Sequence, residues 1–339
     1  MNDVLFTKED STILKGIAIC LMVYYHVAAC GNMIHNSLLL TIWFRLGNFC
    51  VPMFAFLSAF GIARNYCSRA NPYTINIEYL KHRCKALYIP YLMNWIICAL
   101  GMLIFTPGYI ASRYPLSWPV VMLPVLLDMS GLSYLLFDAG VYTLCTTWWY
   151  MPVAWFIIFS TILLITYFQG SKDMIVMMSA SIFINIILIY FGMRPPIYIA
   201  YTPMICVSVF LVKFCDNYKF KFFHVLLSVL VVVTMLFCRL YFPGSYFVNL
   251  FDAFAVIPIC IMLIKIVPRQ IYTPLRFLGK YSSGIFLVHS FVYLYFPYTS
   301  KLTHLVRNSL FTFIFTIILS LLYSLYLSKI SSFAIRKLP

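Results

Sequence analysis

The sequence predicts an all-α integral membrane protein, a polytopic bundle of about ten transmembrane helices with both termini on the cytoplasmic side. Three observations carry that expectation. Of 339 residues, 63% are hydrophobic and only 10% charged, whereas a soluble domain carries about a quarter charged residues. Mean hydropathy is +0.93. Apolar stretches of about 20 residues, the length that crosses a bilayer, recur along the chain, and the basic residues between them fall mostly to one side.

In chain order the spans are expected near 12–30, 38–62, 86–106, 148–168, 174–192, 197–215, 223–242, 247–267, 281–297 and 308–328. With the N-terminus inside, eighteen Lys and Arg lie at inner ends and loops. Six lie outside, namely Arg45, Arg113, Arg194, Arg239, Lys301 and Arg307. That bias satisfies the positive-inside rule and sets the orientation as N-in, C-in. Residues 107–147 form an irregular outer excursion between the third and fourth spans. Its part from Leu116 to Phe137 is apolar but broken by Pro119, Pro124, Asp128 and Gly131. A full crossing there would invert the downstream cation bias, so a surface-lying or re-entrant segment is expected. Loops of that length are usually functional. Residues 1–339 are read as one transmembrane domain with no appended soluble domain.

The first span needs separating from a secretory signal, because Val27-Ala28-Ala29-Cys30 looks like a lipoprotein cleavage box. Glu9 and Asp10 suit a signal's basic leader poorly, and His26 interrupts the apolar run. An uncleaved helix is expected. The net charge of +15 does not indicate nucleic-acid binding, since the cations are scattered between apolar spans. Eleven cysteines, none in a CxxC pair, act as small hydrophobes and support neither a disulfide framework nor a metal site.

Four patches stand out from ordinary span chemistry. In the first span Lys15 and His26 are eleven residues apart, three helical turns plus about 20°, hence on one face and roughly 16 Å apart along the axis. Ionisable residues within a span mark functional sites by default. The plainer reading has Lys15 snorkelling to the headgroups and His26 packed in the bundle. In the second span Pro52, Ser58, Ala59 and Gly61 permit close helix approach. The third patch is the basic run Tyr79-Leu80-Lys81-His82-Arg83-Cys84-Lys85 that leads to Ile89-Pro90-Tyr91. It reads as a topology signal with headgroup contact, or as an anion site built on Arg for bidentate phosphate binding. The fourth is Leu278-Gly279-Lys280-Tyr281-Ser282-Ser283-Gly284-Ile285-Phe286-Leu287-Val288-His289, with a second intramembrane histidine.

Together these blocks resemble the membrane-bound acyltransferase-3 family, also called the transmembrane acyltransferases. Its hallmark, Arg or Lys followed after ten residues by His, is met by Lys15 and His26. The F-x-F-L-S-x-F-G second helix, the basic stretch ending in I-P-Y and the L-G-K-Y-S-x-G-I-F-L-x-H segment follow in the family's order. Trp148-Trp149-Tyr150-Met151-Pro152 resembles the aromatic entry to its fourth helix. Many members show Arg-x-x-Arg before I-P-Y. Here the run is Arg83-Cys84-Lys85-Ala86, so Lys85 stands beside the second arginine's place.

The resemblance implies transfer of an acyl group, usually acetyl, from acetyl-CoA to a hydroxyl of a polysaccharide or lipid-linked glycan, without a metal. The protein would sit among the lipids of the bacterial cytoplasmic (inner) membrane. His26 is then the expected general base, and Lys15, Arg83 and Lys85 the expected donor-binding cations. Trp148, Trp149, Tyr150, His289 and Asp252 are expected at the acceptor, Asp252 being the carboxylate placed to face the bundle from a span. A transporter or flippase for a glycan or lipid-linked precursor is the alternative. Against it stand the missing internal repeat and the scarcity of carboxylates within spans.

Overall fold

The computed structural model describes residues 6–30, 46–69, 71–136, 142–215, 222–241, 246–306 and 309–337; among them all regular structure is helical and no strand occurs. The helices are α1 (Lys8–Cys30), α2 (Cys50–Cys67), α3 (Ile77–Phe105), α4 (Pro107–Arg113), α5 (Met122–Met129), α6 (Ser133–Leu136) and α7 (Tyr150–Tyr167). A 3-10 turn, Thr146–Trp149, leads into α7. There follow α8 (Ser171–Tyr190), α9 (Ile197–Phe214), α10 (Phe222–Tyr241), α11 (Tyr246–Ile266), α12 (Tyr272–Lys280) and α13 (Ser282–Ser290). A π turn, Phe291–Tyr295, continues α13, before α14 (Pro297–Val306) and α15 (Ser309–Lys337).

Among the described residues, five helical segments are long and apolar enough to cross a membrane: Lys8–Ala29, Ile77–Phe105, Thr146–Tyr167, Ser171–Tyr190 and Leu310–Lys337. A sixth is the pair Phe254–Ile266 and Arg269–Lys280 if that is one span, although it bends by 102° at its break. Three further apolar helices, Tyr198–Phe214, Leu226–Tyr241 and Ser282–Tyr295, are shorter. Of the expected span 38–62, the part before residue 46 lies outside the described residues. Val176 and Phe183 on α8 and Leu226 and Leu230 on α10 are all more than half exposed. Apolar surface of that kind belongs against lipid rather than water.

The chain divides into two compact units. The first comprises Met1–Tyr25, Asn36–Ile77 and Phe156–Lys280. Its α1 starts at a capping box: the Asp10 amide donates to Thr7 Oγ1 at 3.0 Å, and the Thr7 amide donates to Asp10 Oδ2 at 2.9 Å. Asp10, one of the two acids that argue against a signal peptide, thus takes part in capping the helix. Phe6, Phe56 and Phe60 pack edge-on or tilted at 5.7–6.0 Å in its core. Gly16 and Gly279 let α1 and α12 touch backbone to backbone. A Cβ at Gly279 would collide with the Thr12 carbonyl, and one at Gly16 with that of Leu275.

The second unit comprises His26–His35, Glu78–Trp155 and Tyr281–Pro339. Its core gathers Tyr91, Cys98 and Met102 of α3, Leu144, Cys145 and Trp148 before α7, Leu287, Val288 and Phe291 around α13, and Leu327 of α15. Here α13 and α15 pack closely because Gly284 carries no side chain.

Candidate functional site

Helix α1 runs unbroken past both Lys15 and His26. Each is partly exposed. In the second unit the His26 ring lies with its centroid 5.1 Å from that of His289, tilted by 43°. His289 is completely buried. Its Nδ1 lies 2.7 Å from the Phe286 carbonyl oxygen, which can only accept, so Nδ1 carries the proton and donates. Its Nε2 is 3.2 Å from Ser290 Oγ. Both ring nitrogens of His289, expected at the acceptor, thus lie against groups of the core.

The polar contacts continue from Ser290. Its Oγ is hydrogen-bonded to Thr147 Oγ1 at 3.1 Å, and Thr147 Oγ1 lies 3.1 Å from Cys145 Sγ. The 3-10 turn is fastened to α13 and the π turn by three successive residues. Thr146 Oγ1 meets Tyr295 Oη at 3.0 Å, Thr147 meets Ser290, and Trp148 Nε1 donates to the Leu287 carbonyl at 2.9 Å. Asn94 Nδ2 reaches the same carbonyl at 3.4 Å. Trp148 is 1% exposed and packs against Tyr91 and Phe291, with ring centroids 5.3 and 5.7 Å away. It is therefore a core residue here, and of the expected sugar-stacking residues Trp149 and Tyr150 keep partial exposure.

The segment between α3 and α7 is built around Asp128, a carboxylate whose importance the sequence did not disclose. It is 1% exposed. Its Oδ2 accepts from Tyr114 Oη at 2.5 Å, Trp95 Nε1 at 2.8 Å and the Leu144 amide at 2.9 Å, and its Oδ1 accepts from Thr143 Oγ1 at 2.8 Å. Tyr91 Oη donates to its main-chain carbonyl at 2.5 Å. Burial pushes this carboxyl above the usual range, and the four donors oppose the shift. The only signal in the sequence is a single acid in an otherwise apolar run.

The basic residues separate. Arg83 Nε donates to Tyr79 Oη at 2.9 Å, with its guanidinium 5.1 Å from that ring's centroid. Arg83 and Lys85 both lie on α3, two residues and hence about 200° apart, so they do not face one point. In the first unit Asp252, 1% exposed, is ion-paired with Arg239. Its carboxylate is thereby engaged by a cation one helix away, where the sequence reading offered it to the acceptor. Arg276 also pairs with Glu9 at 2.8 Å, at the surface.

No curated protein and no solved structure matches the chain. A family model described as an acyltransferase domain matches residues 9–329. That stretch takes in α1 with Lys15 and His26, the basic entry to α3, the Trp148–Trp149 turn and the His289 helix. The chain therefore belongs to the acyltransferase-3 family and is a multi-pass membrane acyltransferase.

Proposed function

We propose that this protein is an O-acetyltransferase of the bacterial cytoplasmic membrane, moving an acetyl group from acetyl-CoA to a hydroxyl of a cell-surface or exported polysaccharide. The observation that carries the reading is His26, an imidazole within an apolar helix, partly exposed and set against a second histidine. An imidazole near neutral pH is the usual general base for a hydroxyl. His26 takes the proton of the acceptor hydroxyl as its oxygen bonds the thioester carbon. The carbon–sulfur bond then breaks, and the departing thiolate takes the proton from His26. The products are the sugar ester and free coenzyme A, and the histidine returns neutral.

The layout assigned to this reaction is ten spans, N-in and C-in, with residues 107–147 on the outer face. The anionic donor binds from the cytosol with Lys15 and Arg83, and with Lys85 on its own helix face. Its pantetheine arm follows α1 from Lys15 toward His26, about 16 Å along the axis. The glycan approaches from outside, where Trp149 and Tyr150 offer ring faces to a sugar. Glycans from deletion and complemented cells, compared by NMR, test the reading. O-acetyl signals should be missing in the deletion and restored on complementation. Glycan that is itself absent from the surface of deletion cells would favour a transporter instead.

A further inference from the structure

The second histidine has no task in the reaction as written, yet it is among the most constrained side chains in the second unit. We propose that His289 is a positioning residue acting through His26, and that the buried chain Ser290–Thr147–Cys145 fixes the orientation of its ring. This rests on the acyl-transfer reading above.

The Phe286 carbonyl can only accept, so Nδ1 bears hydrogen. On the other side of the ring Nε2 lies 3.2 Å from Ser290 Oγ. Ser290 Oγ donates to Thr147 Oγ1 at 3.1 Å, and Thr147 Oγ1 lies 3.1 Å from Cys145 Sγ. Held at both nitrogens, the ring keeps its orientation 5.1 Å from that of His26. The ring itself cannot turn aside: it is fully buried, between Phe286 and Tyr293 with centroids 6.2 Å away on each side. Among the described residues, His26 and Tyr293 stand beside the ring, and Cys145 is reached through Ser290 and Thr147. A π turn begins immediately after Ser290, a helix irregularity that recurs at functional sites.

Because His289 does not reach solvent, the variants should lower kcat and leave KM for acetyl-CoA and for glycan unchanged. Thr147→Val, which keeps the shape and removes the hydroxyl, is expected to reduce kcat roughly 10-fold or more, since small errors in reacting geometry cost up to about 100-fold. Thr147→Ser should restore it. Cys145→Ala, at the chain's far end, should give a smaller loss in the same direction and serves if Thr147→Val does not insert. A second readout is independent of turnover: the rate at which diethyl pyrocarbonate modifies His26, followed by mass spectrometry. It should change in Thr147→Val and return in Thr147→Ser. Wild-type kcat and wild-type His26 reactivity in Thr147→Val would overturn the proposal. So would a raised KM with unchanged kcat, which would place the chain at the substrate. A wild-type protein without acetyl transfer, but with altered His26 reactivity in the variant, would instead defeat the functional reading and leave the positioning role standing.

Discussion

Gly284→Ala tests whether the spacing of α13 and α15 sets the reaction geometry. A methyl group at position 284 would lie 2.8 Å from Ser324 Cβ and 3.1 Å from Ser324 Cα, and would strike Ser324 Oγ. The hydroxyl can swing away at the loss of its 2.9 Å bond to the Tyr281 carbonyl, but the carbons cannot. Carbon pairs rest at about 3.5–4.0 Å, so the helices must part by roughly 0.5–1 Å. His289 lies five residues further along α13, and its ring stands against His26. A displacement of about 1 Å near reacting groups costs on the order of 100-fold in rate. The expected loss in kcat is therefore about 10- to 100-fold, in protein that still inserts and elutes as a single species. Acetyl transfer in membranes adjusted to equal protein is the assay. Adding Ser324→Gly, which removes two of the three opposing atoms, should recover much of the activity. Wild-type kcat in Gly284→Ala alone would show that the spacing of α13 and α15 does not set the reaction geometry.

Asp128→Ala takes the acceptor from Tyr114, Trp95 and the Leu144 amide, at about 1–3 kcal/mol for each unsatisfied group, while Thr143 can still donate to the Cys145 carbonyl. Thermal unfolding should show a large stability loss, with Asp128→Asn much milder because its amide oxygen can keep the three donors on one side; equal losses would count against the account. Since burial raises this carboxyl, the folded state binds more protons than the unfolded one above the ordinary carboxylate value. Stability should fall as pH rises from there through the folded value, and Asp128→Asn should flatten that slope. Asp252→Ala strands a buried Arg239 and should cost about 3–5 kcal/mol; replacing both residues by Leu should recover most of it, as read by denaturation. Lys15→Ala and Arg83→Ala should raise KM for acetyl-CoA without changing insertion. Unchanged donor affinity in both would remove them from the donor path.

The helices were legible because their apolar lengths follow from the bilayer, although among the described residues only five segments, or six with the bent pair, are long and apolar enough to cross it. The first helix was legible in more detail, since the spacing of Lys15 and His26 needs only a regular α-helix to put both on one face. What the sequence hid depends on contacts between distant segments. The fastening of Thr146, Thr147 and Trp148 to Leu287, Ser290 and Tyr295 spans about 140 positions of chain and has no local signature. Sequence alone leaves the aromatic run at 148–150 open between sugar stacking and an interfacial belt, and the burial of Trp148 against Tyr91 and Phe291 has no local signal. Asp252 read as available because its partner Arg239 lies on another helix.

The proposed role of His26 as the base for acyl transfer has a direct test. Purified protein incubated with radiolabelled acetyl-CoA and glycan should release coenzyme A thiol and label the glycan in equal amounts. His26→Ala should do neither while still inserting and binding the donor. Full labelling of the glycan by His26→Ala would contradict the account.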